Sequence, residues 1–154
     1  MRVLIQRVKR ASVTVDGELV SEIGKGLLVF VGICDNDGKE DIEWLTKKIS
    51  NIRLFDDENG VMNLSVQESG GEVLAVSQFT LMASTKKGNR PSFTDSAAPD
   101  EANRLYEYFC TCLRNEGVSK VETGVFAADM LVKIDNDGPV TIVMDSEVLK
   151  KKKG

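Results

Sequence analysis

Residues 27–33 read LLVFVGI, a nearly unbroken apolar run that constrains the fold more than any other segment of the chain. A strand with one face in water alternates apolar and polar residues, and this run has almost no polar face to present. It therefore predicts a central strand of a sheet that is buried on both faces. Residues 72–81 (EVLAVSQFTL) start apolar and end polar, and they predict a second buried strand.

Two segments with helical spacing are candidates for the layers that cover such a sheet. The recurrence of apolar residues predicts a first helix over 39–51. A second helix is predicted over 98–116, with Pro99 in its first turn and Gly117 just beyond its end. The chain is therefore expected to form an α/β fold in which two helices cover part of a mixed sheet.

Shorter extended segments complete the predicted sheet. Asp16-Gly17 predicts a tight hairpin turn between the first two strands. Further short strands are expected at 53–55 and 120–123. At 154 residues the chain is most simply one domain, and no apolar run approaches the roughly 20 residues that span a bilayer.

The last two predicted strands, 130–135 and 140–144, flank an unusual connection within IDNDGPVTIVM (134–144). Asp137-Gly138 is typical of a hairpin turn, but Pro139 follows it directly, at the mouth of a strand. One interpretation is a hairpin whose proline stops the strand. The alternative is a rigid Gly-Pro pair that presents its backbone to a ligand.

The composition excludes several kinds of chemistry. The chain has no histidine, which excludes Ser-His and Cys-His nucleophile pairs and histidine metal sites. Its three cysteines form no CxxC pair, so a zinc site or a disulfide framework is not expected, and the cysteines are interpreted as packing residues. The acidic clusters 56–58 and 135–137 match no metal loop and are interpreted as solvated turns. No metal site or cofactor is predicted.

Local charge differs from the overall charge. A net charge of −4 argues against a surface covered by nucleic acid. Cations nevertheless cluster in the loop that carries Lys86, Lys87 and Arg90, in the first strand, and in the Lys150–Lys153 tail. The loop has the composition of a phosphate-facing segment but no Walker or Rossmann spacing. The tail is interpreted as a solvated, frayed terminus.

The polar residues that end the second buried strand are the main candidate site. Polar side chains at a strand end often line ligand sites in α/β proteins. The alternative is that hydroxyl groups here only satisfy backbone groups of the following loop. The four residues are Ser77, Gln78, Phe79 and Thr80.

Several motifs together resemble the D-aminoacyl-tRNA deacylase family. These are SQFTLMAST with the following KKGNRPSF, and NDGPVTI near the C-terminus. The segments RVLIQRVKRASVTVDG, IGKGLLVFVGI and TGVFAADM are similar to the same family, so the resemblance covers Met1 to about Ser146. It implies a deacylase domain over 1–147, a barrel-like sheet with two covering helices, and a homodimer, and it leaves 148–154 as a Lys-rich tail without a counterpart in the family.

The resemblance also implies an activity. Members of the family hydrolyse the ester between a D-amino acid and the 3′ terminal adenosine of tRNA, releasing free D-amino acid and tRNA. Glycine, as on mischarged glycyl-tRNA-Ala, is an expected further substrate because it has no side chain to reject. The expected setting is chiral proofreading in the cytoplasm, without a cofactor or a membrane.

The resemblance assigns roles to individual residues. Ser77, Gln78, Phe79 and Thr80 are implied to form the floor of the catalytic site. Gly138 and Pro139 are implied to form a cis dipeptide that enters the neighbouring subunit's pocket and opposes an L side chain, with Arg7 as its brace. Leu81, Met82 and Met130 are implied to lie near the terminal adenine.

The residues leave the mechanism open between two routes. Without a histidine base, a threonine hydroxyl is a poor nucleophile. The favoured route is attack by water, helped by the ribose 2′-OH of the substrate, with the amides of Phe79 and Thr80 stabilising the oxyanion. Thr80 as a nucleophile is the other route. Two alternative functions also remain, namely an L-alanyl-tRNA deacylase with a trans Gly-Pro bond and a non-catalytic nucleic-acid-binding module.

Overall fold

The structure of the protein, a computed structural model, describes residues 1–151. Its strands and helices form a single domain. In chain order they are β1 (Arg2–Val15), β2 (Glu18–Ile23), β3 (Gly26–Gly32), α1 (Lys39–Asn51), β4 (Phe55–Asp56), β5 (Met62–Leu64), β6 (Glu72–Ser77), a 3₁₀ helix (Phe79–Met82), α2 (Pro99–Asn115), β7 (Val121–Thr123), β8 (Leu131–Asp145) and α3 (Glu147–Lys151).

The long strand β1 organises the main sheet. One edge of β1 pairs with β8 along nearly its whole length, while its other edge pairs first with β3 and then with β2. These pairs are antiparallel, whereas β3–β6 and β6–β7 are parallel. The result is a six-stranded mixed sheet that curves toward a barrel, so the predicted α/β class and barrel-like sheet are confirmed.

Strand β3 is buried on both faces, as its sequence predicts. Leu27, Val29 and Val31 belong to a core cluster that includes residues of α1 and α2, and Leu28 belongs to a second cluster on the opposite face. Burying one such side chain contributes about 1.5–3 kcal/mol, so a polar face on β3 would be costly. At Gly26 an added Cβ would lie 1.8 Å from the backbone oxygen of Glu72, so only glycine allows this approach of β3 to β6.

Helices α1 and α2 agree with the predicted segments because their signals are local. The apolar face of α1 buries Ile42, Leu45 and Ile49. Pro99 occupies the first turn of α2, and Gly117 follows the helix with φ of +90°, which a glycine adopts without steric cost. No helix within residues 1–151 is long and apolar enough to cross a membrane.

The second buried strand is shorter than predicted. β6 ends at Ser77 rather than at residue 81, and the 3₁₀ helix begins at Phe79. The Gln78 amide still donates to Val31 O at 2.8 Å, and the chain then turns so that the Leu81 amide donates to Gln78 O at 3.2 Å. The short strand expected at 53–55 is also displaced, since β4 comprises Phe55–Asp56.

The predicted hairpin at Asp137-Gly138 is wrong, because both of its arms belong to the single strand β8. Asn136 is paired with Val8 and Thr141 with Gln6, so the four residues 137–140 stand opposite the single residue Arg7. The segment is therefore a large bulge in which four residues oppose one, here called the β8 bulge (residues 137–140). β1 holds both arms in line, which no local turn signal reveals.

A third helix lies where the sequence predicts a frayed tail. α3 spans Glu147–Lys151, so the boundary expected after residue 147 falls inside a helix. Lys150 is anchored, since its Nζ lies 3.4 Å from the Asp37 carboxylate and 3.7 Å from that of Asp41. Lys152, Lys153 and Gly154 of the predicted tail lie outside the described residues.

Candidate active site

A pocket of about 490 Å³ opens at the carboxyl end of β6. Its floor consists of residues from β3, β6 and the start of the 3₁₀ helix, and its walls come from the start of α2 and from the segment that precedes β8. The lining residues are Val31, Ile33, Val76, Ser77, Gln78, Phe79, Ser96, Ala97, Pro99, Ala102, Phe126, Ala127, Ala128, Asp129, Met130 and Val132. The floor is mostly apolar, which leaves its polar groups concentrated at the strand end.

Three of the four predicted floor residues line this pocket, and the fourth follows them directly. Ser77, Gln78 and Phe79 are lining residues, and Thr80 is exposed in the first turn of the 3₁₀ helix. The Gln78 side-chain amide donates a short hydrogen bond to Thr80 Oγ1. Within residues 1–151 no hydrogen bond occupies the backbone amides of Phe79 and Thr80, because β6 has ended and the 3₁₀ turn has only begun. Two backbone donors therefore stand free beside the pocket.

The opposite wall contains residues that the sequence did not single out. Phe126 lines the pocket and packs at 6.2 Å, between ring centroids, from Tyr106 of α2. Ala127 has φ of +63°, a left-handed conformation that is uncommon for residues with a side chain. Asp129 is the one carboxylate among the lining residues. The similarity of the segment TGVFAADM to the deacylase family is the signal that could have identified these positions.

The three residues implied to lie near the adenine are found at two different places in the structure. Met130 lines the pocket. Leu81 and Met82 do not; they pack over β3, where the Leu81 Cβ lies 2.8 Å and the Met82 Sδ 3.1 Å from the position of a Cβ added at Gly32. Arg2 Nη1 donates to Leu81 O at 2.8 Å, so Leu81 and Met82 hold the 3₁₀ helix against the sheet.

The Gly138–Pro139 dipeptide lies at a second location, away from the pocket lining of its own subunit. Both residues are exposed at the crest of the β8 bulge, and their peptide bond is cis. Arg7 lies beneath them: its Nε donates to Asp137 O at 3.2 Å and its Nη1 to Leu54 O at 2.6 Å. The side chain of Arg7 is 11% exposed, so these carbonyls are fixed partners of a mostly buried guanidinium.

Asn136 closes the base of the β8 bulge. Its side-chain amide donates to Arg7 O at 2.9 Å and to Val140 O at 3.0 Å. It thereby replaces the ladder bonds that β1 and β8 lose where the strands separate. In the sequence Asn136 is only one letter of the motif NDGPVTI, because its partner Arg7 lies 129 residues away in the chain.

The described residues contain no group of three or more cysteine or acidic side chains that could hold a metal ion. The cysteines are free thiols. Burial raises the pKa of the Cys110 thiol to about 11 and raises the pKa of Cys34 and of Cys112 as well. A thiol with a raised pKa is mostly protonated at neutral pH and is a weak nucleophile.

Comparison with known proteins identifies the class to which this fold and pocket belong. The family model described as D-Tyr-tRNA(Tyr) deacylase matches residues 4–145. A D-aminoacyl-tRNA deacylase of Parabacteroides distasonis is 60% identical over 147 residues, covering 96% of this chain and 98% of that protein. The corresponding protein of Bacteroides thetaiotaomicron is 57% identical with the same coverage. The chain belongs to the D-aminoacyl-tRNA deacylase family.

Solved structures have the same fold. A structure described as c-Myc DNA Unwinding Element Binding Protein superimposes with a TM-score of 0.90 at 42% identity, covering 94% of this chain and 98% of that one. A probable eukaryotic D-amino acid tRNA deacylase superimposes with a TM-score of 0.79 at 20% identity, which speaks for the fold alone.

Proposed function

We propose that this protein hydrolyses the ester bond of D-aminoacyl-tRNA and releases free D-amino acid and tRNA. The observation that carries the proposal is the pair of unoccupied backbone amides, at Phe79 and Thr80, on the edge of the 490 Å³ pocket. Ester hydrolysis places negative charge on the carbonyl oxygen, and preorganised backbone amides stabilise that charge more than they stabilise the ground state. Membership of the deacylase family supports this substrate class.

The proposed nucleophile is water. The chain has no histidine, and the hydrogen bond that Thr80 Oγ1 accepts comes from an amide, which cannot remove a proton from it. An aminoacyl ester needs little activation, and the vicinal 2′-OH of the substrate's ribose helps the attack. In this mechanism Gln78 and Thr80 position the ester while the two amides face its carbonyl oxygen.

The working unit of the proposal is a homodimer. Gly138 and Pro139 are exposed and do not line the pocket of their own chain, so a role at the ester requires another chain. β8 pairs with β1 along one edge only, and it exposes Leu131 by 59% and Val143 by 58%. Large exposed apolar side chains on a strand with one free edge are suited to burial against a second copy.

The proposed basis of chirality is exclusion by main-chain atoms. The β8 bulge exposes Gly138 and Pro139 at its crest, while Arg7 and Asn136 fix its two ends through hydrogen bonds to Asp137 O and Val140 O. A rigid wall of this kind rejects one direction of side chain without recognising any particular one. The proposal therefore includes broad acceptance of D-amino acids and acceptance of glycine, as on glycyl-tRNA-Ala.

The test is hydrolysis of matched D- and L-aminoacyl-tRNAs by the purified protein, with D-tyrosyl-, L-tyrosyl-, glycyl- and L-alanyl-tRNA as substrates. Rapid loss of the D-tyrosyl and glycyl esters with the L-tyrosyl ester intact is expected. Hydrolysis of L-alanyl-tRNA in preference to D-tyrosyl-tRNA would instead support the L-alanyl proofreading alternative.

Nucleic-acid binding without turnover is a second candidate, favoured by one observation. The structure described as c-Myc DNA Unwinding Element Binding Protein shares 42% identity with this chain. Salt-sensitive binding of tRNA or DNA with every ester left intact would support this candidate and overturn the catalytic one.

A further inference from the structure

A short hairpin beside the pocket has no role in the chemistry described so far. Here called the basic hairpin, it comprises residues 84–92 (STKKGNRPS). Ser84 and Ser92 close its base by exchanging two backbone hydrogen bonds, each 2.8 Å long. Gly88, with φ of +65°, forms its tip. The hairpin is thus a closed projection with a defined base.

The basic hairpin concentrates positive charge on an acidic protein. Lys86, Lys87 and Arg90 are exposed, and the hairpin contains no acidic residue, although the chain as a whole carries −4. Within residues 1–151 none of these three cations forms an ion pair, whereas Arg2, Arg10 and Lys150 each contact a carboxylate. Three unpaired cations on one projection suit a ligand with several negative charges.

The basic hairpin is coupled directly to the pocket. Phe93, next to its base, packs edge-to-face on Phe79 with 5.1 Å between ring centroids. Ser96 and Ala97, a few residues further on, line the pocket. Phe79 is the residue whose backbone amide faces the ester in the proposed reaction. A group bound by the hairpin would therefore lie on the same side of the molecule as the mouth of the pocket.

We infer that the basic hairpin binds the phosphates of the single-stranded 3′ end of the tRNA and so delivers the ester into the pocket. This inference rests on the proposed function, since it names how the same site takes its substrate. The 3′ terminal nucleotides carry one phosphate each and lead straight to the aminoacylated ribose. Lysine and arginine side chains supply the contacts such a backbone requires, and these contacts depend on salt rather than on base sequence.

The test compares two substrates that share the ester but differ in phosphate. One is D-tyrosyl-tRNA, and the other is D-tyrosyl-adenosine, the 3′ terminal nucleoside ester with no phosphate. The variant is the double substitution Lys86→Ala, Lys87→Ala. Its matched control is Lys47→Ala, Lys48→Ala, another adjacent pair of exposed lysines, on α1 and outside the pocket lining.

For the variant in the basic hairpin, kcat/KM on D-tyrosyl-tRNA is expected to fall about tenfold or more, while kcat/KM on D-tyrosyl-adenosine stays at the wild-type value. The dependence of log kcat/KM on log salt should also become shallower, by about 0.7 for each lysine that contacts a phosphate of the single strand. The control pair should leave both the rates and the salt dependence at wild-type values.

Other outcomes overturn the inference. An equal loss on both substrates would mean that the lysines act through the pocket rather than through phosphate, and no loss on tRNA would mean that the phosphates bind elsewhere. If the wild-type protein hydrolyses neither ester, the proposed function fails, and binding of uncharged tRNA by the same variants then decides the inference. Equal affinity of wild type and variant for uncharged tRNA at low salt would overturn it.

Discussion

At the scale of single residues, the proposed chemistry relies on main-chain groups more than on side chains. The Phe79 and Thr80 amides are free because a strand ends and a 3₁₀ turn begins at the same point. The Thr80 hydroxyl is held by Gln78 but has no base beside it among the described residues. Substitutions that change the backbone are therefore expected to cost more activity here than substitutions that change side chains.

The first prediction concerns the amide of Phe79. Phe79→Pro removes the N–H, and a proline is tolerated at the first position of a helical turn, so the fold should survive. Loss of one oxyanion donor should lower kcat by about 10²–10³-fold in single-turnover hydrolysis of D-tyrosyl-tRNA. Phe79→Leu is the matched control, since it removes the ring that contacts Phe93 but keeps the amide. Similar rates for the two variants would contradict the role of the amide.

The second prediction concerns the Thr80 hydroxyl. Thr80→Ala should retain a substantial single-turnover rate, because in the proposed mechanism water rather than Thr80 attacks the ester. The same measurement separates the two routes, since a nucleophilic threonine requires near-total loss of hydrolysis. A covalent aminoacyl adduct on wild-type Thr80, detected by mass spectrometry, would also refute attack by water.

At the scale of elements, the β8 bulge is an exposed projection within a strand that remains paired in its sheet. Residues 137–140 project away from β1, and pairing resumes on both sides of them. Arg7 and Asn136 hold the bulge through three hydrogen bonds that end on main-chain carbonyls of residues 7, 137 and 140. The shape of the projection therefore depends on two side chains that are not part of it.

The third prediction tests this dependence on Asn136. Asn136→Ala removes the donor of two hydrogen bonds to partly buried carbonyls and should lower the free energy of unfolding by about 1–3 kcal/mol. The preference for D-tyrosyl- over L-tyrosyl-tRNA, measured as a ratio of kcat/KM values, should fall with it. Asn51→Ala, which removes an exposed side-chain hydrogen bond to Lys47 O at the end of α1, is the control. If Asn136→Ala kept the wild-type ratio of D- to L-tyrosyl kcat/KM values, the shape of the bulge would not determine selectivity.

The contrast between the helices and the β8 bulge shows how far the sequence predicts this fold. α1 and α2 follow from apolar spacing and from their own ends, which are properties of neighbouring residues. Asp137-Gly138-Pro139 gives the same local signals whether it ends a hairpin or bulges from a strand. Only pairing of both arms with β1, more than a hundred residues away, decides between the two.

The pocket likewise combines residues that local motifs predict with residues that only the strand order places there. Ser77, Gln78, Phe79 and Met130 could be assigned from motifs and do line it. Phe126 and Asp129 reach it because β7 lies beside β6 in the sheet and the chain then passes over the end of β6. That placement depends on strand order, which the periodicity of a short segment cannot give.

At the scale of the whole molecule, the two parts of the proposed site lie on different surfaces of one chain. The pocket is at the end of β6, while Gly138 and Pro139 project from β8 on the far side of β1 from β3. In the proposed dimer, the projection of one chain reaches the pocket of the other. Activity and assembly are therefore expected to be lost together.

The fourth prediction tests this coupling. Val143→Glu replaces an exposed apolar side chain of β8 by a charged one and should convert the proposed dimer, of twice 16.9 kDa, into a monomer with little deacylase activity. Light scattering after size-exclusion chromatography gives the mass, and circular dichroism checks the fold. Leu19→Glu is the control, since Leu19 is 62% exposed on β2, near the opposite end of β1. A fully active monomer would refute the dimeric site.

The β8 bulge also exists because of the number of residues between its paired positions rather than because of which residues they are. Because residues 137–140 face only Arg7, any substitution among them leaves the surplus of backbone in place. A deletion of 137–139, in contrast, would set Val140 opposite Arg7 and remove the surplus between Asn136 and Thr141, leaving only the separate irregularity at Lys9. Insertions and deletions at this position, more than point changes, are therefore the route by which descendants of this protein would gain or lose the projection.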